Sequence, residues 1–150
     1  MPAPSAAPSI GNALRKAQYY LRVELDDALR DVKLTAPQYF ALAALSAQSG
    51  LSGAALARRC FVTPQTMTGI IANLATASLI DRVPDPEHGR IIQTRLTTKG
   101  TALLTQARIL IERIETSMVR DLDRAEREAL ADLLLQCADA LAQRRRSSAT

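Results

Sequence analysis

Residues 52–96 constrain this chain more than any other stretch, because two short helical segments there run directly into a β-rich hairpin. Ser52 suits the cap of a helix over 54–59, and Phe61-Val62-Thr63-Pro64 reads as a turn. Thr63 then caps a second helix, with Pro64 as its first residue, that runs to about Ala77. Its apolar residues Met67, Ile70, Ile71 and Leu74 follow the i, i+3, i+4, i+7 spacing of one buried face. Ala57 supplies the small side chain needed where the two helices cross, with Leu56 and Cys60 inward beside it. Val62 follows the turn, whose usual glycine falls at Phe61. This is the register of a helix–turn–helix. Residues 79–83 and 91–96 are strand candidates around the loop 84–90, which carries two Pro and one Gly. A two-stranded hairpin of this size is not stable alone, so it must lean on the helices.

The flanks are helical. Leu14, Leu21, Leu25, Leu29 and Val32 recur at helical spacing over 10–33. Leu34-Thr35-Ala36-Pro37 then punctuates, with Thr35 as cap of a helix to about Gln48. Phe40, Ala41, Ala44 and Leu45 are expected on its inner side. From Thr97 a long helix begins, capped by Thr97 or Thr98, with Leu103, Leu104, Ala107, Ile111, Ile114 and Met118 as its stripe. A last helix over 124–143 aligns Leu130, Leu133, Leu134, Cys137 and Leu141. Residues 1–9 read as a disordered leader and 144–150 as a frayed tail. The expected organisation is thus a terminal helix over 10–33, a lobe over 34–100 and terminal helices over 101–143. Long apolar stripes at both ends suggest that two chains share a helical interface.

Aromatic residues are only 3% and Trp is absent, so Ala, Leu and Ile must build the core, which suits closely packed helices. The net charge of +4 is uneven: residues 1–49 carry +1, residues 50–100 carry +3, and residues 101–150 carry none. A basic excess in the middle fits a polyanion partner. The uncharged runs 34–57 and 60–80 are broken by Pro, Gly and polar residues, which argues against membrane spans. The start of the chain lacks the pattern of a targeting signal. Two distant cysteines, Cys60 and Cys137, fit free thiols in a reduced cytoplasmic setting.

With Met67, Ile70, Ile71 and Leu74 inward, the second helix of the pair presents Gln65, Gly69, Ala72 and Thr76 outward, with Thr66, Thr68 and Asn73 on the flanks. Gln, Asn and Thr can hydrogen-bond base edges in a major groove, and small residues allow close approach. An ordinary solvated face is the alternative. Arg90 ends the hairpin loop beside Gly89, and an arginine there can enter a minor groove; an exposed ion pair with Asp85 or Glu87 is the bland reading. Arg58, Arg59, Arg82, Arg95 and Lys99 can hold phosphates, or can simply be solvated. His88 beside Asp85 and Glu87 makes a poor metal site. Cys60 falls at an inward position, where a free cysteine packs as a small apolar residue, and thiol-based sensing is the alternative. No nucleophile with a base partner, phosphate loop or metal cluster argues for an enzyme or a cofactor. A helical protein-binding adaptor is a third class, which leaves the hairpin and the polar helix face unexplained.

Leu34-Thr35-x-x-Gln38-Tyr39-x-x-Leu42, Leu56-Ala57-Arg58-Arg59, Val62-Thr63-Pro64-Gln65-Thr66-Met67-Thr68, Leu79-Ile80-Asp81-Arg82 and Leu96-Thr97-Thr98-Lys99-Gly100 occur in that order. Together they resemble the MarR-type winged helix–turn–helix regulators over roughly residues 10–143. The resemblance implies a mainly α fold with a two-stranded wing, flanked by N- and C-terminal dimerisation helices. It implies a homodimer on a pseudo-palindromic double-stranded operator, usually a repressor, released by a small aromatic or phenolic ligand or by an oxidant. Carried over by position, Gln65, Thr66 and Thr68 face the major groove and Arg90 the minor groove. Thr63, Asn73, Arg58, Arg82 and His88 complete the expected DNA-contacting set. Two departures stand out. Gly69 and Asn73 replace residues that are often basic, and His88 stands where an Asp often braces the wing arginine, leaving open how Arg90 is held.

Overall fold

A computed structural model describes residues 9–148; the expected leader lies, apart from Ser9, outside the described residues, as do Ala149 and Thr150. Six helices and a small sheet follow in the order α1 (Ile10–Arg30), α2 (Ala36–Ala47), β1 (Leu51–Ser52), α3 (Gly53–Arg59), α4 (Pro64–Thr76), β2 (Ile80–Pro84), β3 (Ile92–Leu96), α5 (Thr98–Met118) and α6 (Arg124–Ser147). They form two compact units, one ending at Ile114 and the other starting at Glu115.

Local chemistry explains where the helices of the first unit begin. Thr35 closes a capping box: its hydroxyl accepts the Gln38 amide, and the Gln38 side chain accepts the Thr35 amide. Ser52 accepts the Ala55 amide and Thr63 the Thr66 amide, each satisfying one orphan donor of a first turn. Of the two candidates at the start of α5, Thr97 is the cap, its hydroxyl accepting the Gly100 amide at 2.9 Å. One core joins all of these elements. Leu29, Leu42, Leu45, Leu56, Met67, Leu74 and Leu104 are its largest fully buried apolar side chains. The far end of α1 and the near half of α5 therefore pack into the same core as the helix–turn–helix.

The sheet has three antiparallel strands in the order β1-β3-β2, not two. Leu51 and Ser52 pair with Thr94 and Gln93, so the residue that caps α3 also edges the wing. β2 and β3 pair from Ile80–Leu96 at the base to Pro84–Ile92 at the tip. A two-residue strand has no alternation to read, which is why the sequence pattern misses it.

Two further expectations are corrected. Phe40 is 46% exposed, while Tyr39, Ala41, Leu42, Ala44 and Leu45 of α2 are buried. The helix is apolar nearly all round, and its periodicity does not single out the buried face. In the second unit, α6 continues through Arg144, Arg145 and Arg146, where a frayed tail is expected. Arginine is a good helix former, and cations are favourable in a last turn. Asp123 and Glu126 make the capping box at the other end of α6. None of the residues of α6 is buried; Leu133, Leu135 and Leu141 are each more than half exposed.

Candidate nucleic-acid interface

α3 and α4 meet as the sequence pattern predicts. Leu56 and Ala57 are buried on α3, and Met67, Ile70, Ile71 and Leu74 are buried on α4. Phe61 occupies the turn with φ of 55°, the left-handed conformation that a glycine adopts freely. The amides of its two neighbours are tied down, Cys60 N–H donating to Leu56 O and Val62 N–H to Ala57 O. A bulky residue held there costs roughly 1–2 kcal/mol, which the turn's fixed geometry outweighs.

The outer face of α4 is exposed at Gln65, Thr66, Thr68, Gly69, Ala72, Asn73 and Thr76. Its polar groups are not equivalent. The Thr63 and Thr66 hydroxyls lie 2.9 Å apart, and Thr63 also caps the helix. The Thr68 hydroxyl donates to the Pro64 carbonyl. These threonines therefore turn their hydroxyls toward their own helix. The side-chain amides of Gln65 and Asn73 make no hydrogen bond to the chain among the described residues. They are the free bidentate groups of this face, and such amides match the edge of adenine.

Among the described residues, the cations of residues 50–100 lack carboxylate partners. Among the described residues, the ion pairs join Arg22 to Asp26, Arg30 to Asp27, Arg120 to Asp121 and Arg124 to Glu128, all outside residues 50–100. Arg58, Arg82 and Arg90 are exposed and bridge to no carboxylate. Arg59 donates to Gln48, Arg95 to Gln93, and Lys99 to the Ala77 carbonyl, so three of the six cations are oriented by neutral acceptors. Positive charge left unneutralised suits phosphate.

In the wing, the Asp85 carboxylate has three hydrogen-bond partners. It does not pair with Arg90, as the bland reading supposed; it accepts the amides of Glu87 and His88 and the side-chain amide of Gln93. These hydrogen bonds, led by the His88 amide, hold the Asp85 carboxyl below its usual range. His88 takes part through its backbone, and among the described residues no group of three His, Cys, Asp or Glu side chains could hold a metal. The sequence named Asp85 only as an ion-pair partner of Arg90 or a neighbour of His88 and did not single out Gln93, because the two meet only through the hairpin register.

Away from this face, α1, α2 and the α3–α4 turn border an open cleft of about 420 Å³. Leu21, Leu25, Phe40, Val62 and Cys60 line it, with Arg22 and its ion-pair partner Asp26 as its charged residues. Cys60 is half-buried; burial pushes its thiol up, and the Arg59 charge offsets only part of this. Cys137 is exposed on α6.

Comparison with known proteins agrees with this geometry. The sequence profile of the MarR family matches residues 32–91. The HTH-type transcriptional repressor Rv2887 of Mycobacterium tuberculosis is 35% identical over 102 residues, spanning 68% of this chain and 73% of that protein. The structure of Bordetella bronchiseptica BpsR, described with regulation of its DNA binding by 6-hydroxynicotinic acid, superposes with a TM-score of 0.81 at 30% identity, over 88% of this chain and 94% of BpsR. The structure of Rv2887 with salicylic acid superposes with a TM-score of 0.71 at 30% identity, over 89% of this chain and 98% of that one.

Proposed function

The chain belongs to the MarR family and is a ligand-responsive DNA-binding transcriptional regulator; we propose that it represses as a homodimer on a pseudo-palindromic operator and is released by a small aromatic acid. The observation that carries this reading is the outer face of α4, polar, uncharged and exposed, together with exposed arginines on α3, β2 and the hairpin loop that bridge to no carboxylate. In this reading α4 enters the major groove, Gln65 and Asn73 hydrogen-bond base edges, and Thr66 and Thr68 offer methyl groups. Arg58, Arg82 and Lys99 hold phosphates, and Arg90 follows the minor groove. The exposed leucines of α6 and Ile10 and Leu14 of α1 supply apolar surface for a second copy. A DNA partner supports a cytoplasmic setting.

Replacing Gln65 with alanine tests the groove assignment. Operator affinity is expected to fall by about ten- to a hundredfold while binding to random duplex stays unchanged. An equal loss on both duplexes counts against a base-reading role.

The cleft supports the effector part of the reading. Its apolar walls fit an aromatic ring, and Arg22 fits a carboxylate. Arg22 is exposed and only loosely held, 3.9 Å from Asp26, so a ligand carboxylate competes without breaking a buried pair. BpsR and Rv2887 are both described with aromatic acids. Salicylate titrated into a preformed protein–operator complex should release the DNA, and Arg22→Ala should raise the concentration needed by about tenfold. Identical release curves for both proteins would place the effector elsewhere. Thiol sensing through Cys60 is disfavoured, because a raised pKa leaves little of the thiolate that reacts with peroxide.

A further inference from the structure

We propose that Asp85 is the positioning residue of the wing: it fixes the ribbon that carries Arg90 and so aids DNA binding, although its charge has the same sign as DNA. The inference rests on the wing reading above and adds a residue that no motif pointed to. Asp85 uses both carboxylate oxygens. Oδ1 accepts the Glu87 amide at 2.8 Å and the His88 amide at 2.9 Å. Oδ2 accepts the side-chain amide of Gln93. The Asp85 amide in turn donates to Ile91 O, and the Ile91 amide to His88 O, each at 2.7 Å. One residue thus ties the outgoing strand, the turn and the returning strand together, immediately before and after Arg90.

The hold continues into the body of the lobe. Gln93 Oε1 accepts from Arg95 Nη2 at 2.7 Å. A Cβ placed on Gly50 would stand 3.1 Å from that same oxygen, so the Gln93 side chain passes close to the Gly50 backbone. Gly50 also has φ of +80°, where a side chain would be strained, and its amide donates to Thr94 O at 3.1 Å. Arg90 itself has no hydrogen bond or ion pair among the described residues, which leaves its guanidinium free. Its reach is set by the backbone that Asp85 holds.

Sign separates this role from that of a bystander carboxylate. Removing a negative charge from a DNA-binding face strengthens phosphate attraction, so a bystander's loss tightens binding. Removing a positioning residue loosens it. The experiment measures operator and random-duplex affinities for the full chain with Asp85→Ala, Asp85→Asn, Arg90→Ala and the double variant Asp85→Ala/Arg90→Ala. Circular dichroism and light scattering establish that each is folded and in the native assembly state. Asp85→Ala should weaken operator binding by about tenfold and leave random-duplex binding equal or tighter. Asp85→Asn should recover much of the loss, since its amide oxygen still accepts the Glu87 and His88 amides. In the Arg90→Ala background, Asp85→Ala should cost nothing further. Tighter or unchanged operator binding by Asp85→Ala overturns the proposal, as does an equal loss with and without Arg90. If Arg90→Ala is itself silent, the wing reading fails, and a loss from Asp85→Ala then cannot run through Arg90.

Discussion

Replacing Gly100 with alanine is expected to destabilise the protein by about 3 kcal/mol, lowering its thermal midpoint by roughly 6–12 °C at fixed protein concentration. The reason is contact, not backbone conformation. A Cβ on Gly100 would stand 2.0 Å from the Leu79 carbonyl oxygen and 2.9 Å from its carbon. Both are main-chain atoms, so no rotamer change relieves the clash. The neighbourhood has little room to shift. The Leu79 carbonyl accepts the Thr97 amide at 3.1 Å, the Thr97 hydroxyl donates to Ser78 O at 2.8 Å, and Lys99 Nζ donates to Ala77 O at 2.8 Å. The first turn of α5 is thereby clamped onto the end of α4 and the base of β2, and a methyl group would have to pry them apart. Thermal unfolding monitored by circular dichroism checks this, and a midpoint within 2 °C of the parent, on the order of 1 kcal/mol or less, would show that α5 slides more easily than these bonds imply.

Arg90→Ala is expected to weaken operator binding by about ten- to a hundredfold, to lower the salt slope by about one, and to leave the proposed dimer intact. Arg90 is exposed at the end of the hairpin loop and contributes nothing to the core, so stability should be untouched. Its charge is not neutralised within the chain, and the narrow groove of A·T-rich DNA is where an unpaired guanidinium gains most. A mobility-shift titration alongside light scattering separates the two claims. Unchanged affinity removes Arg90 from the interface, and a loss accompanied by dissociation would reassign it to assembly.

Much of this architecture is readable one residue at a time. The caps Thr35, Ser52 and Thr63 and the buried quartet of α4 follow from short-range rules, because a helix's start and inner face depend on neighbours within a turn or two. The winged helix–turn–helix then follows from their order. Features set at long range stay hidden. β1 exists only because Leu51 and Ser52 meet Thr94 and Gln93 across the sheet. Asp85 and Gln93 are eight residues apart and meet through the hairpin register. Phe40 lies on an apolar helix whose spacing does not distinguish core from cleft wall. Gly100 belonged to a motif, but its reason, the nearby Leu79 carbonyl, is visible only in three dimensions.

On α4, sequence showed which residues face outward but not how their hydrogen-bonding groups are occupied. Thr63, Thr66 and Thr68 satisfy local partners, which in the proposed reading shifts the weight of base recognition to Gln65 and Asn73. The cleft between α1, α2 and the α3–α4 turn is likewise an assembly of distant positions, from Leu21 to Val62, that no local pattern announces.

The most direct test of the central claim is selection of genomic DNA fragments by the purified protein, followed by titration of the selected duplex and a random one at two salt concentrations. Enrichment of an inverted-repeat sequence is expected, bound at least a thousandfold, on the order of 4 kcal/mol, more tightly than random duplex, with both affinities falling steeply as salt rises. Failure to enrich any sequence, or equal affinity for selected and random duplexes at both salts, would contradict that claim.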